Sequence, residues 1–272
     1  DKIDSSIYKF VQDDQGLTLF WLREEGRSVY EELYYKKTDY KGQVLLEEKL
    51  LTKDAGLRSF SVEKVNGYYH LFWLSGEEEE DLELKYWKLD ENLKKIKERV
   101  LIDDLAYTRR IKTQVNGNNI YLSWFTSDKK NYEQVQIAKY NLNQDKFISK
   151  QVTNAEYHAT YPNFIIVEDE MNLVWFEQDP DKLSTTSKKT RTNSYHIYFQ
   201  RFNANLESIT DRRLISPAAK TGKVPPELFH QDNQLHIIFN KYDIKVQRKM
   251  RGTHIYHAAL NYESPDDKTI NK

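Results

Sequence analysis

Cysteine is absent from all 272 residues, which excludes a disulfide framework, a thiolate metal site and a cysteine nucleophile. Glycine (9) and proline (6) are scarce, so flexible linkers and low-complexity tracts are excluded as well. No stretch approaches the roughly 18 consecutive apolar residues that a bilayer-spanning segment needs. Charge of one sign is also lacking. The 41 Lys+Arg and 42 Asp+Glu leave a net −1, with no overall bias toward nucleic acid or a membrane surface. What the chain does have is rings: 13% aromatic residues, including 19 Tyr and 5 Trp, on a chain that is 31% charged. That much apolar surface excludes intrinsic disorder, and the length is ample for a substantial core.

The sequence opens at Asp1 without a basic segment followed by an apolar one, and ends in Lys-Thr-Ile-Asn-Lys. It reads as a single domain, residues 1–272, excised from a longer protein. A cysteine-free domain fits an extracytoplasmic setting, at the surface of a bacterium or on a membrane-anchored parent.

The informative feature is an internal period. Four apolar segments end in tryptophan: Leu19-Phe20-Trp21, Leu71-Phe72-Trp73, Leu122-Ser123-Trp124 and Leu173-Val174-Trp175. The tryptophans lie 52, 51 and 51 residues apart, and a fifth copy, Ile237-Ile238-Phe239, follows after 64. A polar insertion, Leu183 to Asn193, accounts for the excess. Each unit reads as four strands. A short first strand (Ser61–Val65, Lys112–Val115, Asn163–Val167, Glu227–His230) turns at Asn66-Gly67, Asn116-Gly117, Glu168-Asp169-Glu170 or Asp232-Asn233 into the tryptophan strand. A Tyr-rich alternating strand comes next, then a polar turn and a last strand such as Val44–Leu51 or Ile96–Ile102. Asn, Asp and Gly tolerate the positive φ of two-residue hairpin turns, and alternation marks strands with one buried face.

Four antiparallel strands per unit of about 51 residues is the pattern of a β-propeller blade. The expected fold is therefore all-β, a five-bladed β-propeller with blades near 6–57, 58–108, 109–159, 160–223 and 224–272. The last blade is short of residues for its outer strand. The apolar-Trp second strand and aromatic third strand resemble the sialidase-like and lectin-like β-propellers, a resemblance of architecture over nearly the whole chain. The sialidase Asp-box, Ser-x-Asp-x-Gly-x-x-Trp, is missing from every blade, so a sialidase activity does not follow.

In such a propeller the resemblance implies a ligand at the mouth of the central channel, near the start of the inner strands. Fifteen residues before each Trp, and before Phe239, stand Ser6, Arg58, Arg109, Thr160 and Val224. Arg58, Arg109 and Arg110, with His158 and Tyr161, are the candidate ligand-binding residues there. Arginine's planar fork of donors suits carboxylate, sulfate or phosphate; the competing role for Arg58 and Arg109 is bonding to neighbouring blades. Loops after the second strand add a basic sector, with Lys182, Lys188, Lys189 and Arg191 in one blade and Lys241, Lys245, Arg248, Lys249 and Arg251 in the next. Lys241 and Arg248 complete the binding set. The acidic run Glu77 to Asp81 occupies the corresponding loop of the second blade.

Glu177 and Asp179 follow Trp175 and are the candidate catalytic carboxylates. A glycosidase pair would need them about 5–5.5 Å apart for retention or about 6.5–9.5 Å for inversion. The seven His form no His-Glu-x-x-His, and His254 and His257 point to opposite faces of a strand, so no metal and no cofactor is expected. The leading expectation is a monomeric, non-catalytic binding module for an anionic glycan or a protein partner, without specific nucleic-acid binding. The alternatives are a glycan-active hydrolase using Glu177 or Asp179, and a protein-interaction scaffold with no pocket.

Overall fold

A computed structural model describes residues 8–24, 31–53, 56–76, 81–127, 132–153, 157–178, 194–220, 224–242 and 253–262. Among these residues every regular element is a strand. The chain falls into two compact units. Unit 1 comprises residues 1–122 and 140–147, and unit 2 comprises residues 123–139 and 148–272, so the division runs through the third repeat.

In unit 1 the first repeat is an antiparallel sheet of β1 (Tyr8–Asp13), β2 (Gly16–Glu24), β3 (Glu31–Thr38) and β4 (Val44–Lys53), paired in chain order. The second repeat has β5 (Ser59–Val65), β6 (Tyr68–Ser75), β7 (Leu82–Leu89) and the first half of β8 (Lys95–Asn116). The second half of β8 opens the third repeat, which continues through β9 (Asn119–Ser127), β10 (Glu133–Asn141) and β11 (Lys146–Gln151). In unit 2 the fourth repeat is β12 (Ala159–Val167), β13 (Glu170–Gln178), β14 (Ser194–Phe202) and β15 (Arg213–Lys220). The fifth has β16 (Glu227–Gln231), β17 (Gln234–Tyr242) and β18 (Thr253–Asn261). Residues 263–272, where its outer strand was expected, lie outside the described residues.

The expected hairpins form for the expected reason. Asn66 and Gly67 have φ of 51° and 81°, Glu168 and Asp169 of 48° and 67°, and Asp232 and Asn233 of 49° and 59°. These are the doubly left-handed turns whose twist matches the flanking strands. The polar turns after the third strand are built alike: the side chains of Asp39, Asp90 and Asn203 each accept two backbone N–H bonds from residues two and four ahead. Asn141 accepts one from Gln144. A short side chain bonding its own turn explains why the repeat places Asp or Asn there.

Burial grades across each sheet. β6 is buried from Tyr69 to Ser75 on both faces, whereas β4 is mostly exposed. A second strand packed on both faces must read as a continuous apolar run, and Leu71-Phe72-Trp73-Leu74 does so. Trp21, Trp73, Trp124 and Trp175 are all buried, with Trp73 edge-on to Trp87 at 4.5 Å. Neighbouring repeats are stitched by polar pairs at the repeat spacing. Thr18 Oγ1 meets the Tyr69 hydroxyl at 2.8 Å, and Ser61 Oγ meets Thr113 Oγ1 at 2.7 Å.

One element departs from expectation. The outer strand of repeat 2 and the inner strand of repeat 3, read as separate, form the single 22-residue strand β8. No Gly or Pro interrupts it, and it turns instead through left-handed Asp104, Tyr107 and Arg110, with φ of 55°, 38° and 62°.

Candidate functional site

The inner strands of repeats 2 and 3 lie side by side in unit 1. Ser59 Oγ accepts a hydrogen bond from the backbone N–H of Ile111 at 3.2 Å. The residues just before these two, Arg58 and Arg110, are therefore brought to the same end of neighbouring strands. Arg58 is half-buried, and its backbone N–H donates to the Leu74 carbonyl at 2.9 Å, extending the ladder. Arg109 and Arg110 are exposed, and the Arg109 guanidinium lies 4.6 Å from the centre of the Tyr107 ring.

The backbone beside Arg58 is unusually close-set. Gly56 has φ of 65°, and a Cβ there would stand 1.8 Å from the Gly76 carbonyl oxygen. Gly56→Ala therefore combines a strained φ with a backbone clash. It is expected to lower stability by about 2–4 kcal/mol, measured by urea unfolding.

In unit 2 His158 immediately precedes β12 and Tyr161 lies near its start. Tyr161 has φ of 53° and sits in a β-bulge between Thr160 and Asn163, so Arg110 and Tyr161, 51 residues apart, share a left-handed backbone. Bulges of this kind re-aim a side chain at the rim of a sheet. The Tyr161 ring is wedged against Phe125 (5.7 Å) and Phe176 (6.0 Å). The His158 carbonyl accepts from Gln178 N–H at 2.8 Å, its Nδ1 lies 2.9 Å from the Glu133 carboxylate, and the Tyr132 ring packs edge-on at 5.6 Å.

Glu133 had escaped the sequence reading. The repeat gave little signal for it, because the same position holds Glu31 in the first repeat and the buried Leu82 in the second. Glu177 belongs to the same end of β13, opposite Ala159 of β12. It is 2% exposed and fully engaged. Its two oxygens accept from Arg212 at 2.7 and 2.8 Å, and one also accepts from Trp175 Nε1 at 3.1 Å. Arg212 in turn lies 4.2 Å over the Tyr198 ring, which stacks on Trp175. No local pattern foretold Arg212, because its partner is 35 residues away.

Asp179, Arg248, the acidic residues 77–80 and the basic loop 182–191 lie outside the described residues. Lys241 is described for its backbone alone, opposite His254 in the β17–β18 ladder. Among the described residues no cluster of three or more His, Asp or Glu could hold a metal ion, and no helix is long and apolar enough to cross a membrane.

No family model and no curated protein matches the chain. Solved structures do. The chain is similar to a subtype N10 neuraminidase-like protein of A/little yellow-shouldered bat/Guatemala, with TM-score 0.55 and 9% identity, over 96% of this chain and 84% of that one. It is similar to the polysaccharide lyase Uly1, also with TM-score 0.55, at 10% identity over 95% of this chain and 58% of that one. A GH43 endo-arabinanase from Bacillus licheniformis aligns over 95% of both chains, with TM-score 0.43 and 12% identity. The fold is that of the sialidase-like β-propellers. The four-stranded repeats are its blades, and the arginine pair and the His158–Glu133 pair each stand where an inner strand begins.

Proposed function

We propose that this propeller is glycan-directed and takes an anionic carbohydrate chain where the inner strands of blades 2 and 3 begin. The observation that carries the reading is the arginine cluster: Arg58 and Arg110 are gathered by the Ser59–Ile111 bond, and Arg109 is held over Tyr107. The exposed Arg109 and Arg110 guanidinium groups can offer paired N–H donors to a sugar carboxylate or sulfate. That the fold is shared with a neuraminidase-like protein and a polysaccharide lyase supports carbohydrate as the ligand class.

A second reading, a glycan-cleaving enzyme, is favoured by the His158–Glu133 pair in unit 2. A buried carboxylate that orients an imidazole is the arrangement a general acid–base needs. Tyr132 and the bulged Tyr161 supply adjacent aromatic surface.

The test uses neutral, uronic-acid-bearing and sulfated polysaccharides, with binding read by calorimetry and cleavage by release of new chain ends. Arg109→Ala with Arg110→Ala is expected to weaken the anionic polysaccharides at least tenfold, with the thermal midpoint unchanged. Each charge-assisted hydrogen bond contributes about 1.5–3 kcal/mol. Equal binding by wild type and double variant would refute the arginine site. Cleavage that falls about 100-fold or more in His158→Ala while binding persists would establish the enzyme. Binding without any new chain ends would leave a recognition module.

A further inference from the structure

At the far end of β5 from Arg58, unit 1 contains a cavity of about 220 Å³ between blades 2 and 3. Its wall is a row of basic side chains. In the strand register His70 of β6 stands opposite Lys88 of β7, and Lys88 stands opposite Lys97 of β8. Like charges directly across a ladder repel, so such a row needs a counter-charge.

The protein supplies only part of one. Asp145 pairs with Lys97, accepts from the Tyr140 hydroxyl and lies 3.2 Å from Arg99, so its charge is already shared among three partners. Lys88 has no carboxylate partner among the described residues. Its ammonium rests 3.7 Å from the centre of the Tyr68 ring at the cavity wall.

The repeat makes this an anomaly. Lys37, Lys88 and Lys139 are spaced by 51 residues, and Arg201 occupies the corresponding place in blade 4. Lys37 bonds Asp13 and Gln15, Lys139 bonds the Ala204 carbonyl, and Arg201 bonds Glu170. Arg201 also lines a cavity, but there Glu170 answers its charge; the Lys88 side chain alone of the four has no hydrogen-bond acceptor among the described residues.

His70 does not compete for an anion as a second cation. Burial first, then the nearby Lys88 charge, holds its imidazole down at about 4. Neutral, it shares a 2.8 Å hydrogen bond with the buried Tyr86 hydroxyl, and the Tyr86 ring packs against Tyr140 at 4.6 Å. The cavity thus holds two lysines and one carboxylate, Asp145, on a wall of phenols, a net positive charge in a space small enough for one compact ligand.

We propose that this cleft is a binding site for a small oxyanion, either a phosphate or sulfate ion or the carboxylate of a single sugar acid, seated between Lys88 and Lys97. The site is independent of the arginine cluster, from which β5 separates it by roughly 20–25 Å at strand rise.

The experiment titrates the intact chain with inorganic phosphate, sulfate and glucuronate, read by calorimetry and by tyrosine difference absorbance, since Tyr68, Tyr86 and Tyr140 line the cavity. One of the three should bind saturably with a tyrosine signal, and which one identifies the oxyanion. Lys88→Gln should weaken it at least tenfold, Lys88→Arg should restore most of the affinity, and Arg109→Ala with Arg110→Ala should leave it unchanged. Lys97→Gln is a second variant should Lys88→Gln fail to fold. Absence of saturable binding by all three probes overturns the proposal. So does binding that survives Lys88→Gln, or binding that is lost in the arginine variant instead.

Discussion

Arg212→Ala is expected to lower folding stability by about 3–5 kcal/mol, a larger loss than Glu177→Gln produces, measured by urea unfolding of both variants. The asymmetry comes from exposure. Glu177 is buried at the end of β13, so removing Arg212 strands a carboxylate with, among the described residues, only Trp175 Nε1 to bond it. The Arg212 side chain is 45% exposed and can hydrate when its partner is neutralised. This result also bears on function. If Glu177 serves the Trp175–Tyr198–Arg212 stack, Glu177→Gln should leave any glycan cleavage intact while moving the thermal midpoint. A collapse of cleavage without loss of stability would return Glu177 to the catalytic candidates.

The second large effect lies between blades 1 and 2. Asp13 Oδ1 accepts from the backbone N–H groups of Gln15 and Gly16, while Oδ2 accepts from Lys37 at 2.9 Å and Lys64 at 2.6 Å. The Lys37 side chain is only 5% exposed. Asp13→Asn can keep the turn bonds but removes the charge, leaving two lysines without their counter-ion. A loss of about 3–5 kcal/mol is expected.

The pH dependence follows from the same cluster. Burial alone would raise the Asp13 carboxyl, but hydrogen bonds from Lys64 and Lys37 outweigh it and hold the group well below the usual carboxylate range. A carboxyl depressed in the folded state binds fewer protons there than in the unfolded chain at mildly acid pH. Its stabilisation is therefore complete above the unfolded value of about 3.9 and is lost as pH falls toward the folded value. The wild type should lose stability below about pH 4, and Asp13→Asn should flatten that acid limb. Asp145 titrates in the same region, held at about 2 by Lys97 first and by the Tyr140 hydroxyl, but its half-exposed ion pairs are screened and contribute little. An acid limb unchanged by Asp13→Asn would show that other carboxylates govern it.

The architecture was legible because a blade is a local object. Its hairpin turns need Asn, Asp or Gly, its second strand must be apolar on both faces, and its third must alternate, so each blade writes the same pattern within 51 residues. The Asn66-Gly67 and Asp232-Asn233 turns formed as read for that reason. Unbroken β8 was not legible, since its bends are made by left-handed Asp104, Tyr107 and Arg110 rather than by Gly or Pro.

The sites divide along the same line. Sequence alone determined the repeat, the strand order within each blade and the end at which Arg58, Arg109, Arg110, His158 and Tyr161 stand, because repeat position maps directly onto strand position. Only the tertiary structure decided what those side chains meet. Glu133 finds His158 from 25 residues away, Arg212 finds Glu177 from 35, and Asp145 reaches Lys97 from the next blade. Coulomb and hydrogen-bond partners are chosen by distance in space, and neighbouring blades bring together residues that no local pattern relates. The same reason left Lys88 unremarkable in the sequence and distinctive in the fold: its repeat equivalents look alike along the chain and differ only in what faces them.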